Sequence, residues 1–158
     1  MVIGGLYSPC EGNISKQEIS KFVRELEKDF VEIRQECKHI LIVGDFNAHI
    51  GNDEEGIDGN NEKIGINGKE YRRFIRERQL ILCNKTTKCK GKWTRTNKDA
   101  ESILDLTVAT EEAYEKMNSM EIDEDGKFSI ESKKARADHN ATLIQLNIAA
   151  EKEKPEKR

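Results

Sequence analysis

The chain has 158 residues, 35% of them hydrophobic and 36% charged, with a formal net charge of −3 and a pI near 5.8. That much apolar material supplies one compact core rather than two, and the slightly acidic balance excludes a generally basic nucleic-acid-binding surface, so any such footprint must be local. Cys10, Cys37, Cys83 and Cys89 are irregularly spaced with no C-x-x-C pair, which argues for reduced intracellular thiols over disulfides or a structural zinc site.

No apolar run approaches the roughly 20 residues that cross a bilayer, so a water-soluble protein without a membrane partner is expected. Its expected compartment is intracellular, nuclear or cytoplasmic. Met1 to Tyr7 reads as a buried strand that stops at Ser8-Pro9, where proline removes a donor. Ser15 and Glu18 form a capping box, and Ile19, Phe22, Val23, Leu26, Phe30 and Ile33 then recur at helical spacing to about Cys37. His39 to Val43 is a continuous apolar run, as in a strand covered on both faces, and Gly44-Asp45-Phe46-Asn47 follows it. Strand, helix, strand implies a layered α/β arrangement.

Gly51 to Gly68 holds five glycines and no apolar period, which predicts a long, mobile surface loop. Asn67 is expected to cap a second helix running to about Arg78, with Tyr71, Phe74 and Ile75 inward. Leu80 to Cys83, Lys92 to Thr96, Ile103 to Ala109, Ser119 to Ile122 and Thr142 to Ile148 read as strands, with a turn at Asp123 to Gly126. Residues 1–149 are thus read as one domain and 150–158 as a charged, solvated tail.

The chemistry-bearing groups stand at the ends of these strands. Asp45 and Asn47 are two residues apart and share a face of an extended segment, so both side chains can meet one phosphate or water, although Gly, Asp and Asn are equally ordinary turn residues. Asp105 lies within the apolar run Ile103 to Ala109, where a carboxylate needs a partner unless it faces water on an alternating strand. Asp138 beside His139 is suited to metal binding and proton transfer, although a lone histidine at a strand entrance is by itself more often structural or solvated, and the Tyr7 phenol could donate to an anion or simply edge the core.

Together, LYSP, ILIVGDFNAHIG, the NG helix with RERQLILCN, KWTRT, SILDLTVAT and ADHNATLIQL resemble the endonuclease/exonuclease/phosphatase family across nearly the whole chain. Within it, GDFNAHIG followed by a glycine-rich loop and an NG helix looks most like the endonucleases of non-LTR retrotransposons. The resemblance implies a two-layered α/β sandwich of two packed sheets flanked by helices. It also implies cleavage of phosphodiester or phosphomonoester bonds with Mg²⁺ or Mn²⁺, and DNA as the substrate. Carried over position by position, it makes Asp45 the activator of the attacking water and a metal ligand, and Asn47 the holder of a phosphate oxygen. Asp105 would orient the imidazole, Asp138 would be a metal-side carboxylate, and His139 the phosphate-binding or proton-handling partner. Tyr7 would contact the phosphate, and Trp93, Thr94 and Asn140 would lie near the nucleic acid.

Leu106 stands where the family usually has tyrosine, and Ala137 where it has serine. The family's upstream asparagine and metal-binding glutamate have no counterpart before Met1, so the resemblance implies a domain incomplete at its N-terminus, with weak metal retention and very slow cleavage or none by this chain alone. Two other readings stay open. One is a non-catalytic fragment that binds a partner or self-associates through exposed sheet edges. The other is a phosphatase or lipid phosphodiesterase of the same family, since substrate choice lies in the loops.

Overall fold

The computed structural model describes residues 1–51, 64–97, 100–128 and 138–148. Most of the expected glycine-rich loop, Ala137 and the charged tail lie outside the described residues. Nine strands and three helices form in chain order: β1 Val2–Tyr7, α1 Lys16–Glu36, β2 Ile40–Asp45, α2 Ile66–Glu77, β3 Ile81–Leu82, β4 Cys89–Lys90, β5 Arg95–Thr96, β6 Glu101–Ser102, β7 Asp105–Ala109, α3 Glu111–Lys116, β8 Met117–Ile122 and β9 Thr142–Leu146, counted among the described residues.

The main sheet has the order β1-β2-β7-β3, with β1 parallel to β2 and β7 antiparallel to both β2 and β3. A second sheet has the order β4-β8-β9, and β5-β6 forms a separate two-stranded ribbon. Alternation along β2 explains why its sequence is a continuous apolar run. Ile40 and Ile42 point into a core shared with Ile19, Val23 and Phe30 of α1 and Tyr71 and Phe74 of α2. Leu41 points the other way, into a core with Ala109, Met117, Met120 and Ile122 against which Ile144 and Leu146 pack. The central strand is therefore held between helices on one face and the second sheet on the other, which is the expected layering.

Helix α1 starts where its capping box is satisfied: the Ser15 hydroxyl accepts from the Glu18 N–H, and the Glu18 carboxylate accepts from the Ser15 N–H. Phe30 of α1 meets Phe74 of α2 edge-on, with ring centroids 5.7 Å apart.

Four expectations are corrected. β1 is not a buried strand but an edge of the main sheet, with Ile3 and Tyr7 exposed. Helix α2 is capped at Gly65 without a side-chain bond, and Asn67 lies inside its first turn. The run from Ile103 is a strand only from Asp105, so that carboxylate opens a strand instead of interrupting one. The strand predicted for Lys92–Thr96 shortens to Arg95–Thr96, while β4, β6 and α3 are too short to show a period in the sequence.

Candidate active site

Strand register alone gathers the first three groups. Tyr7 is the partner of Asp45 across β1-β2, and Asp45 is the partner of Asp105 across β2-β7. Directly paired residues share a face, and these three follow the odd-numbered alternation of Leu41 and Ala109 toward the second sheet. They form one row at the end of the sandwich.

Gly44 makes this closeness possible. Its φ is +148°, and a Cβ there would lie 1.9 Å from the Leu6 carbonyl oxygen, so only glycine lets β1 pair so near Asp45. The chain then turns back through Asn47 at φ +44°, a left-handed conformation asparagine tolerates. In this turn the Asn47 N–H donates to Asp45 Oδ1 at 2.8 Å, and Asn47 Nδ2 donates to Asp45 Oδ2 at 3.0 Å and to the Ser8 carbonyl at 2.7 Å. Asn47 Oδ1 accepts a 3.4 Å contact from the Cys10 thiol. The Asp45 carboxylate is thus oriented on both oxygens.

A second asparagine holds the first. Asn67, fully buried on α2, donates through Nδ2 to the Asn47 carbonyl at 3.0 Å and to the Pro9 carbonyl at 2.9 Å, and its N–H donates to Glu11 Oε1 at 2.9 Å. Gly68 permits the approach, since a Cβ there would lie 2.0 Å from the His49 carbonyl oxygen. Beneath lies Tyr71, whose ring packs edge-on to Phe46 at 4.8 Å. Burial pushes its phenol up to about 12, and the nearby Ser8 hydroxyl opposes that shift without reaching hydrogen-bond geometry.

On the other side, His139 Nδ1 lies 2.8 Å from Asp105 Oδ2. Burial raises the Asp105 pKa above its ordinary value, the hydrogen bond and charge of His139 and the Thr94 hydroxyl pull it back, and the Asp45 charge adds to the rise. The start of β7 is fixed from two sides. The buried Thr94 hydroxyl accepts from the Leu104 and Asp105 N–H groups, both at 2.9 Å, while Asn84 donates to the Asp105 carbonyl and accepts from the Thr107 N–H.

Asp45, Asn47, Asp105 and His139 therefore come together, with Tyr7 exposed at the margin of the row. Asp138 turns to Arg95, whose Nε donates to its Oδ2 at 2.7 Å and holds its carboxyl below the usual range. Trp93 is half-buried; its backbone N–H donates to Glu124 Oε1, and the Lys92 ammonium lies over its ring. The amides of Asn140 fasten neighbouring chain: Nδ2 donates to the Trp93 carbonyl at 2.6 Å and to the Thr96 hydroxyl. Thr94 and Asn140 thus occupy supporting positions. Sequence reasoning missed Ser8, Asn84 and Arg95 and took Asn67 for a cap. An asparagine followed by a glycine at a helix start signals tight approach as readily as capping.

A family model described as endonuclease-reverse transcriptase matches residues 2–143. The chain belongs to that family. Among solved structures, it is similar to the "Endonuclease domain of TRAS1, a telomere-specific non-LTR retrotransposon", with TM-score 0.53 and 18% sequence identity. The match covers 81% of this chain and 53% of the solved one, so the chain spans about half the length of that relative. At that identity the likeness shows a shared fold, and it agrees with the layered arrangement above. No curated protein matches significantly.

Proposed function

We propose that this chain carries the water-activating and imidazole side of a DNA-cleaving phosphodiesterase of the retrotransposon endonuclease type. The observation that carries this reading is the Asp105–His139 hydrogen bond, formed in register beside an Asp45 carboxylate already oriented by Asn47. With Nδ1–H held by the Asp105 carboxylate, His139 in its imidazolium form has the Nε2–H left to donate to a phosphate oxygen, and Asp105 favours that doubly protonated ring. Asp45 has lone pairs beyond the two that Asn47 occupies and takes the proton of an attacking water. Asn47 keeps Asp45 in place, and reaches a phosphate only by giving up its bond to Ser8.

The family resemblance implies Mg²⁺ or Mn²⁺. Asp45 and Asp105 are hard oxygen donors placed directly opposite each other, a like-charge pair that a cation would relieve. Among the described residues no three His, Cys, Asp or Glu groups gather to hold an ion, so the fit is to a cation held by one or two carboxylates and completed by water and substrate. Asp45 would hold it, whereas Asp138, the other carboxylate expected at the metal, is engaged by Arg95. The cation would supply positive charge to the phosphate oxygens.

The test is nicking of supercoiled plasmid at excess protein with Mg²⁺ or Mn²⁺. Slow, EDTA-sensitive nicking lost in Asp45→Ala and His139→Ala supports the reading. Nicking unchanged by both variants, or none at all, overturns it. The exposed β1 edge, carrying Ile3 and Tyr7, favours a second reading in which copies pair edge to edge. A concentration-dependent dimer in light scattering, lost in Ile3→Lys, would support that; a monomer at every concentration would remove it. No helix among the described residues is long and apolar enough to cross a membrane, and a nuclear or cytoplasmic setting is part of the proposal.

A further inference from the structure

Arg95, which stands beside His139, is left without a task by the reading above. It belongs to the short ribbon β5-β6, and it also makes an isolated antiparallel bridge with His139. The flanking bonds run from the Thr96 N–H to the Asp138 carbonyl at 2.8 Å and from the Asn140 N–H to the Thr94 carbonyl at 2.7 Å. Arg95 and His139 are therefore the non-hydrogen-bonded kind of pair, in which side chains share a face and approach most closely. His139 reaches from this pair to Asp105.

The guanidinium is anchored at one atom. Arg95 Nε donates to Asp138 Oδ2 at 2.7 Å, with the arginine side chain 35% and the aspartate 47% exposed. An ion pair this exposed adds little to stability, and the backbone bonds already fasten 138–140 to 94–96, so a purely structural clip gains little from it. What the pair does supply is orientation. A guanidinium held at Nε keeps its two Nη groups as a planar fork, the geometry that matches phosphate.

We propose that Arg95 is a phosphate-binding residue of this cleft, oriented by Asp138, and that its Nη fork takes a non-bridging oxygen of the phosphodiester that His139 meets from the adjoining position. Asp138 acts as a positioning residue for Arg95. The inference rests on the phosphodiester reading for its substrate and adds a residue that the family resemblance did not supply.

The experiment has two arms. In the first, binding of a fluorescein-labelled DNA duplex is followed by anisotropy over a range of salt. Arg95→Ala is expected to weaken binding roughly tenfold and to lower the slope of log affinity against log salt by about one unit, as for one lost phosphate contact. Arg95→Lys keeps the slope with part of the affinity lost, and Asp138→Asn keeps the slope with a smaller loss. In the second arm, inorganic phosphate is titrated while the Arg95 Nε–H resonance is followed by NMR, and it is expected to shift. An unchanged slope and affinity in Arg95→Ala, a slope lowered equally by Asp138→Asn, or an Arg95 resonance indifferent to phosphate would overturn the proposal. Phosphate-dependent shifts in a protein that does not nick plasmid would retain Arg95 as an anion site and remove the nuclease reading. Nicking with an indifferent Arg95 would do the reverse.

Discussion

The two sides of the cleft are built differently. The Asp45–Asn47 turn is welded into the main core, with a glycine that only β1 pairing explains, a buried asparagine from α2 beneath it and Phe46 packed edge-on against Tyr71. The Asp138–His139 arm is joined to a two-residue strand by an isolated backbone bridge and held further by side-chain bonds to Arg95 and Asp105, and its side chains are a third or more exposed. The difference teaches that orientation at the first side is a by-product of folding, whereas at the second it depends on a few polar contacts. Substitutions at the two sides should therefore separate activity from stability.

The largest effect is expected on activity. Loss of one preorganised group from such a site typically costs about 10²–10³ in rate, so Asp45→Ala and His139→Ala should each reduce single-turnover nicking by at least that much. Their folding should diverge. Asp45→Ala removes both acceptors of the Asn47 turn and should lower the urea midpoint clearly, while His139→Ala, on the exposed arm, should leave it nearly unchanged. Equal destabilisation would show that the arm is as integral to the fold as the turn.

Next comes Asn67→Ala, which touches no reacting group. It leaves the Asn47 and Pro9 carbonyls without their donor, in a setting where an unpaired polar group costs about 1–3 kcal/mol, and a loss of roughly 2 kcal/mol in urea unfolding is expected. Activity should fall with it, because the Asn47 turn that orients Asp45 loses its support. Wild-type stability in Asn67→Ala would mean that the turn holds its shape from Gly44 and Phe46 alone.

Those two sides were also unequally legible in the sequence. The apolar run Ile40–Val43 and the capping box at Ser15 and Glu18 read directly, because covered strands and capped helices leave periodic or local signals. Asp45 and Asn47 were legible for the same reason, standing at the end of a strand that could be placed. Asp105 was identified but misplaced inside its strand, since apolar Ile103 and Leu104 continue the run although only Asp105 onward is paired. The roles of Thr94, Asn84 and Asn67 were not legible. Each bonds to backbone far away in the chain, and no local pattern encodes such a contact. Arg95 was read only as part of a longer strand, because its meaning comes from an isolated bridge across more than forty residues.

A smaller, pH-dependent effect is expected at Asp105, where the two sides meet. Burial, the largest cause, raises its folded pKa above 3.8. A carboxyl with a raised folded pKa contributes stability below its unfolded value and loses it as pH rises through the folded value. Wild type should therefore lose stability relative to the non-titrating Asp105→Asn as pH rises from below 3.8 toward neutral, even though the variant is poorly active. Melting temperatures of both proteins across that range provide the measurement, and a gap that stays flat or shrinks with rising pH would mean that His139 outweighs burial in setting the Asp105 charge.

The smallest effect belongs to the exposed arm and has the opposite sign. Arg95, the largest cause, lowers the Asp138 pKa below 3.8, so the ion pair contributes stability above that unfolded value and loses it as pH falls through the folded one. Because Asp138 is 47% exposed, solvent screening limits the contribution, and Asp138→Asn should cost no more than about 0.5 kcal/mol at neutral pH. That small cost should vanish in acid and shrink at high salt, whereas the Asn67→Ala loss should persist under both conditions, since it comes from buried neutral groups. Urea unfolding of the two variants at low and high salt compares the sides directly. A salt-insensitive loss at Asp138 comparable to that at Asn67 would mean that the Arg95–Asp138 pair is structural, and would weaken the assignment of Arg95 to phosphate.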